Sequence, residues 1–175
     1  MSTATIAFIG AGNMASSIIG GLLSSGHPAR NIRAADPFPE SLERLGAMGP
    51  VGLFDDNAAA VSGADVVVLA VKPQVMAEAA DSIAAEVATG NAVVVSIAAG
   101  ITIETLEQRL GTGTAIVRCM PNTPALLGCG ASALYANGNT TDEQRAHAES
   151  LLNAVGLSRW VPQESALDAI TALSG

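Results

Sequence analysis

The sequence predicts an α/β fold built on a doubly wound parallel sheet, and three observations predict it. Short apolar runs alternate with amphipathic stretches along the 175 residues, the pattern of right-handed βαβ crossovers. The run Val66-Val67-Val68-Leu69-Ala70-Val71 holds no polar residue, as a parallel strand covered on both faces requires. Hydrophobic residues make up 49% of the chain and charged residues only 14%. That balance suits a close-packed core and rules out a disordered chain.

The elements follow in order. Residues 5–9 form the first strand and run into Gly10-Ala11-Gly12-Asn13-Met14-Ala15, a G-x-G-x-x-A turn that opens a helix. Met14, Ile18, Ile19, Leu22 and Leu23 share one face of that helix, and Gly26 stops it. Residues 32–35 are the second strand, ending at Asp36, where Pro37 and Pro39 break the chain before a short helix over 41–45. A weak third strand over 51–54 leads to Asp55-Asp56-Asn57, a cap for a helix over 58–61. The apolar run at 66–71 ends at Lys72-Pro73 and is followed by an Ala-rich helix over 75–87.

Residues 92–96 form the next strand. Thr102 caps a helix carrying Ile103, Leu106 and Leu110, which Gly111 ends. A strand over 114–119 enters a Pro- and Gly-rich loop over 120–130, and a strand over 131–136 follows. Thr141-Asp142-Glu143-Gln144 is a capping box. Ala148, Leu151, Leu152 and Val155 continue that helix to Gly156, and residues 157–161 are the last strand. Ala166, Ile170 and Leu173 then mark one face of a starting helix. Nothing later in the sequence covers that stripe, so the expectation is a fragment whose further domain is missing.

In a doubly wound sheet ligands bind beyond the carboxyl ends of the strands. The loops over 10–15, 36–39, 71–74, 98–102 and 120–124 all follow strands and are expected to line one crevice. The first loop carries the strongest chemistry. Gly10 permits the sharp strand-to-helix turn. Gly12, without a Cβ, lets a diphosphate approach the backbone, and Ala15 lets the helix pack closely on the sheet. The free N–H groups and positive dipole end of the helix face the anion. Strand, G-x-G-x-x-A and helix in this order form a dinucleotide-binding turn. An ordinary βα turn and a methyltransferase-type turn are the alternatives.

Asp36 lies 24 residues beyond Gly12, near the spacing of about 20 for a carboxylate that binds ribose hydroxyls. It favours NADH, because a 2′-phosphate is repelled unless Arg33 or Arg44 neutralises the carboxylate. Its other reading is a turn residue capping Pro37. Lys72 offers a cation at the crevice or a solvated side chain. Asn57 reads as an adenosine contact or as a helix cap, and position alone favours the cap. Ser96-Ile97-Ala98-Ala99-Gly100 leaves room for a flat ring to approach the backbone. Arg118-Cys119-Met120-Pro121-Asn122-Thr123-Pro124 is a proline-stiffened loop that suits either positioning of a nicotinamide or a purely structural task.

Charge and composition exclude other classes. The net charge of −8 and the absence of a basic stripe argue against nucleic acid. Cys119 and Cys129 lack zinc-ligand spacing and read as reduced thiols of a cytosolic protein. The apolar runs are too short to span a bilayer, and no basic n-region opens a signal peptide. His27 and His147 read as surface residues. No nucleophile triad or paired carboxylates are visible, and hydride transfer needs none, since the coenzyme carries the chemistry.

Four segments, Phe8-Ile9-Gly10-Ala11-Gly12-Asn13-Met14-Ala15, Ala70-Val71-Lys72-Pro73-Gln74, Ser96-Ile97-Ala98-Ala99-Gly100-Ile101-Thr102 and Arg118-Cys119-Met120-Pro121-Asn122-Thr123-Pro124, occur in this order. Together they resemble pyrroline-5-carboxylate reductase, the last enzyme of proline biosynthesis. Asp168-Ala169-Ile170-Thr171-Ala172-Leu173-Ser174-Gly175 resembles the segment that opens that family's helical second domain. The resemblance implies a Rossmann-like domain over 1–163. Residues 164–175 would then be the first helix of a truncated, all-helical dimerisation and substrate domain.

It also implies hydride transfer from NADPH or NADH to the C=N carbon of 1-pyrroline-5-carboxylate, giving L-proline. Ile9, Gly10, Ala11, Gly12, Asn13 and Met14 would hold the diphosphate. Ala70, Val71, Lys72 and Pro73, with Ala98 and Ala99, would flank the ribose and nicotinamide. Asn57 would meet the adenosine side, Asn122 lies in the nicotinamide loop, and Glu164 would approach the cofactor. The implied protein is cytoplasmic and a homodimer or higher homo-oligomer through the second domain. The 175 residues alone are expected to bind coenzyme and turn over poorly. A β-hydroxyacid dehydrogenase, an imine reductase or a non-catalytic dinucleotide sensor are the rival readings.

Overall fold

The computed structural model describes residues 3–121 and 130–174. Eight strands form one sheet: β1 (Ile6–Ile9), β2 (Ile32–Ala35), β3 (Gly52–Phe54), β4 (Val66–Leu69), β5 (Val93–Ser96), β6 (Ala115–Pro121), β7 (Gly130–Ala136) and β8 (Gly156–Trp160). Their order across the sheet is β3-β2-β1-β4-β5-β6-β7-β8. The chain starts centrally, winds out through β2 to β3, and returns to place β4 on the other side of β1. That reversal between β1 and β4 is where a crevice opens at the carboxyl edge.

The strands β1 to β6 pair in parallel, as the sequence predicts. The expectation of a wholly parallel sheet is corrected at β7, which runs antiparallel to β6, with β8 parallel to β7. The reason is length. Pro121 ends β6 and Gly130 begins β7, whereas a parallel return needs a crossover of a dozen or more residues. Met120 and Pro121 therefore belong to a strand instead of the expected loop, and Gly130 to the next strand.

Helices cover both faces. On one face α1 (Asn13–Ser24) and α6 (Asp142–Asn153) pack Ile18, Ile19, Leu151 and Leu152 against Phe8, Val68, Val95 and Val117. On the other, α3 (Asn57–Val61), α4 (Met76–Thr89) and α5 (Ile103–Leu110) pack Ala60, Ile83 and Leu106 against Ala7, Ile9, Val67, Val94 and Ile116. The β4 valines alternate between the two clusters, so the apolar run read from the sequence is buried from Val66 to Leu69. Each such side chain contributes about 1.5–3 kcal/mol by leaving water.

The helix ends follow local rules. Thr141 and Gln144 form both bonds of the capping box. Thr102 accepts from the Thr105 N–H. At the end of α1, Gly26 takes φ +95. Its N–H donates to the Leu23 carbonyl and that of His27 to the Leu22 carbonyl, which is a Schellman motif. The short helix α2 spans Pro39–Gly46, beginning earlier than predicted because proline is well tolerated at the first helical position. The last helix, α7 (Ser165–Ser174), packs against β6 and β7. Among its described side chains Leu167 is buried and Ala166 half-buried; the Ile170 and Leu173 side chains of the expected stripe lie outside the described ones.

Both histidines are more engaged than a surface reading allows. His27 is half-buried, with Nε2 2.9 Å from the Ala4 carbonyl, and His147 lies 3.8 Å from Glu143 one helical turn away.

Candidate functional site

The carboxyl ends of β1, β2, β4, β5 and β6 share one edge of the sheet. Gly10 leaves β1 at φ +102, and a Cβ there would sit 2.5 Å from the Ala70 carbonyl oxygen. Glycine is therefore required by the close approach of the β1 and β4 exits. Gly12 differs, because a Cβ added to it meets nothing within 4 Å, and both Gly12 and Asn13 are exposed. Ala15 is buried in the core beneath them.

The N-terminus of α1 is bare. Gly12 is its N-cap, no side chain caps it, and its first turn carries no acidic residue. By contrast Asp56, Thr102 and Thr141 cap α3, α5 and α6. A helix start normally leaves four N–H groups without intrahelical partners. Here no side chain takes them up, Gly12 and Asn13 are exposed, and the positive dipole end lies behind them, an environment suited to an anion.

Asp36 stands beside this turn. Its Oδ2 accepts from the Ala11 N–H at 2.8 Å and its Oδ1 from the Phe38 N–H at 2.8 Å. The carboxylate is held by the glycine turn on one side and by its own loop on the other, and each oxygen retains acceptor capacity. Asp36 is thus a turn residue of its own loop, and it stands at the edge of the glycine turn.

On the far side of the switch point, Ala70 and Val71 are half-buried, while Lys72 and Pro73 are exposed. The Ala70 N–H donates to the Ile9 carbonyl at 2.8 Å, locking the two exits. Farther along, Ser96 is fully buried and its Oγ accepts from the Ala98 N–H. Ala98 is buried and Ala99 half-buried, so this exit presents backbone and methyl groups with no bulk.

Asn57 does not cap α3. Asp56 does, accepting from the Ala59 N–H at 3.2 Å. Asn57 is the first helical residue, and its Nδ2 donates to Ser82 Oγ on α4. The candidate neutralising cations are also placed. The Arg33 guanidinium donates to the Ala60 and Ser62 carbonyls at 3.1 and 2.6 Å, and Arg44 donates to Ser41 Oγ. Asn122, Thr123, Pro124 and Cys129 lie outside the described residues.

A charge cluster closes the β6 side. Arg118 is 2% exposed, on a strand whose neighbours are apolar. It donates to Glu164 Oε2 at 2.7 Å and to Asp168 Oδ1 at 3.4 Å. The same Glu164 oxygen accepts the Ile103 N–H at the start of α5. One carboxylate therefore joins β6, α5 and the approach to α7. The sequence marks Arg118 only as part of a loop motif, although an arginine inside an apolar run already signals a hidden acidic partner. Next to it, burial pushes the Cys119 thiol up to about 12, with the Arg118 charge pulling the other way. It stays protonated and is no nucleophile at neutral pH.

Among the described residues there is no group of three or more His, Cys, Asp or Glu able to hold a metal ion. A cavity of about 310 Å³ lies instead at the opposite edge of the sheet, lined by Ala92, Gly113, Ala115, Asn139 and Gln144 among others, and has no part in the crevice. No described helix is long and apolar enough to cross a membrane.

Residues 5–100 match the family model described as NADP oxidoreductase coenzyme F420-dependent. A Pseudomonas aeruginosa protein named pyrroline-5-carboxylate reductase is 50% identical over all of this chain and 64% of its own length. The structure of a pyrroline-5-carboxylate reductase from Coxiella burnetii superposes with a TM-score of 0.96 at 37% identity, over 99% of this chain and 64% of that one. The Plasmodium falciparum pyrroline carboxylate reductase, solved with NADP bound, superposes with a TM-score of 0.87 at 25% identity, over 100% of this chain and 63% of that one. The chain spans about 64% of the length of such relatives.

Proposed function

Since the chain belongs to the NADP oxidoreductase coenzyme F420-dependent family, we propose that its crevice holds a reduced nicotinamide dinucleotide for the reduction of 1-pyrroline-5-carboxylate to L-proline. The uncapped start of α1 beneath the open space at Gly12 carries this reading. The residues present fit the coenzyme. Ile9, Gly10, Ala11, Gly12, Asn13 and Met14 offer a backbone cradle for the diphosphate, and Asp36 offers acceptors for ribose hydroxyls. Ala70, Val71, Lys72 and Pro73, with Ala98 and Ala99, form walls low enough for the nicotinamide end to lie across the switch point. Asn57, half-buried after β3, is within the adenosine side of this arrangement.

Bound there, the reduced nicotinamide would supply a hydride to the imine carbon, and a proton from solvent at the ring nitrogen would complete the secondary amine of proline. This chain's own residues orient and shield, since small side chains at the β4 and β5 exits keep the reacting face free of bulk. Glu164 acts at one remove in this reading. It is already bonded to Arg118 and to the Ile103 N–H, so it shapes the β5–α5 loop that faces the coenzyme.

Helix α7 is the start of a further helical part that completes the substrate pocket and pairs two copies, and the protein works in the cytoplasm. The names of the relatives support the substrate, and their greater length supports the further part. The test is coenzyme oxidation that depends on 1-pyrroline-5-carboxylate and forms L-proline, in a polypeptide of the relatives' full length. Reduction of the oxidised coenzyme by 3-hydroxy acids, with no oxidation of the reduced coenzyme by the pyrroline, would replace this reading with a β-hydroxyacid dehydrogenase.

A further inference from the structure

The loop after β2 has a composition that decides between the two reduced coenzymes. From Asp36 to Glu40 it reads acid, proline, phenylalanine, proline, acid, with no cation. A 2′-phosphate on the adenosine ribose carries about −1.5 to −2 charges near neutral pH. A site for it needs either guanidinium or ammonium groups or a set of free backbone N–H groups. This loop holds no cation and few free N–H groups.

The cations are elsewhere. Arg33, on β2 itself, is turned to the Ala60 and Ser62 carbonyls. Arg44, in the last turn of α2, is bonded to Ser41. Among the described residues no basic side chain forms an ion pair with Asp36. The amides are engaged as well. Pro37 and Pro39 have no N–H. The Phe38 N–H donates to Asp36 Oδ1, and those of Ser41 and Leu42 point to the Phe38 carbonyl. The start of α2 therefore has few donors for an anion, and Glu40 adds a second negative charge in its first turn.

Asp36 is moreover fixed in place. With Oδ2 on the Ala11 N–H and Oδ1 on the Phe38 N–H, both at 2.8 Å, it cannot swing away from an incoming phosphate without breaking the link between the glycine turn and its own loop. Its remaining lone pairs suit hydroxyl donors. We infer that Asp36 and its cation-free loop select NADH over NADPH, a departure from the NADP in the family's description. This inference rests on the coenzyme reading above and adds which coenzyme the crevice takes.

Titrating the 175-residue protein with NADH and with NADPH, followed by coenzyme fluorescence at low and high salt, tests it. The expected result is NADH binding at least tenfold tighter than NADPH, with the ratio shrinking as salt screens the repulsion. Asp36→Ser is expected to bring the ratio below about threefold by relieving NADPH more than it harms NADH. Equal or tighter NADPH binding by the unaltered protein overturns the inference and leaves the coenzyme reading intact. So does a folded Asp36→Ser protein that keeps the original ratio. Failure of both coenzymes to bind overturns the coenzyme reading itself. Should Asp36→Ser not fold, judged by circular dichroism, the ratio in the unaltered protein decides alone.

Discussion

The two ends of the crevice are held together by opposite means. At the β1–β2 end the parts are backbone. The Gly10 turn lies close to the Ala70 carbonyl, and Asp36 ties two amides, each part sitting in a short motif at a strand exit. At the β5–β6 end the parts are charged side chains outside any short motif, with Arg118 and Glu164 bonded at 2.7 Å. A backbone contact admits no substitute side chain, whereas a charge pair can be broken from either side with unequal results. The first kind of construction is written in the order of residues. The second depends on where the whole chain returns.

Substitution at Gly10 has the largest expected effect. Gly10→Ala must place a methyl group against the Ala70 carbonyl at a backbone conformation that L side chains avoid. A loss of about 3 kcal/mol or more is expected in denaturant unfolding. A change below about 1 kcal/mol would mean that the β1 and β4 exits can separate, and the contrast between the two ends would collapse.

The charged end separates its two partners. Glu164→Ala strands a buried guanidinium with only the longer contact to Asp168, and is expected to cost about 3 kcal/mol. Arg118→Met removes the buried charge and leaves Glu164, partly exposed, with the Ile103 N–H. That change is expected to cost about 1 kcal/mol or less. Equal losses in parallel thermal melts would show that Arg118 is held by its packing and not by its partner.

The smallest effect concerns Cys119 and is absent at neutral pH. Its thiol is raised from 9.0 to about 12 by burial. The unfolded thiol thus ionises first, and the stability it contributes is present below pH 9 and lost as pH rises toward 12. The difference in unfolding free energy between the unaltered protein and Cys119→Ala should change across that window and be flat below it. A difference that stays flat up to pH 11 would place Cys119 in contact with water.

These ends also differ in how far the sequence reveals them. The strand, G-x-G-x-x-A and helix order places the turn, its open face and the buried Ala15 without any tertiary knowledge, because each depends on neighbours within six residues. Asp36 is legible by spacing, yet its bond to the Ala11 N–H is not, since that needs β1 and β2 in register. At Asn57 the local reading misses by one position. Asp and Asn are both good caps, and only the extended backbone at Asp56 (φ −120, ψ 119) decides between them. The reversal of β7 was legible in principle from the shortness of the connection over 122–129. The ion pair was half legible. Arg118 within Ala115-Ile116-Val117-Arg118-Cys119 demands an acid, but the choice among 16 acidic residues is made by the path of β7, α6 and β8.

The central claim is that the bare start of α1 receives the linked phosphates of a nicotinamide coenzyme. Calorimetric titration of NADH into the protein and into Gly12→Ala tests it most directly, because a methyl group at Gly12 touches nothing in the folded chain. The account predicts saturable one-to-one binding with a Kd below about 1 mM, weakened at least tenfold in Gly12→Ala while the melting temperature is unchanged. Absence of saturation, or equal affinity in the two proteins, would contradict it.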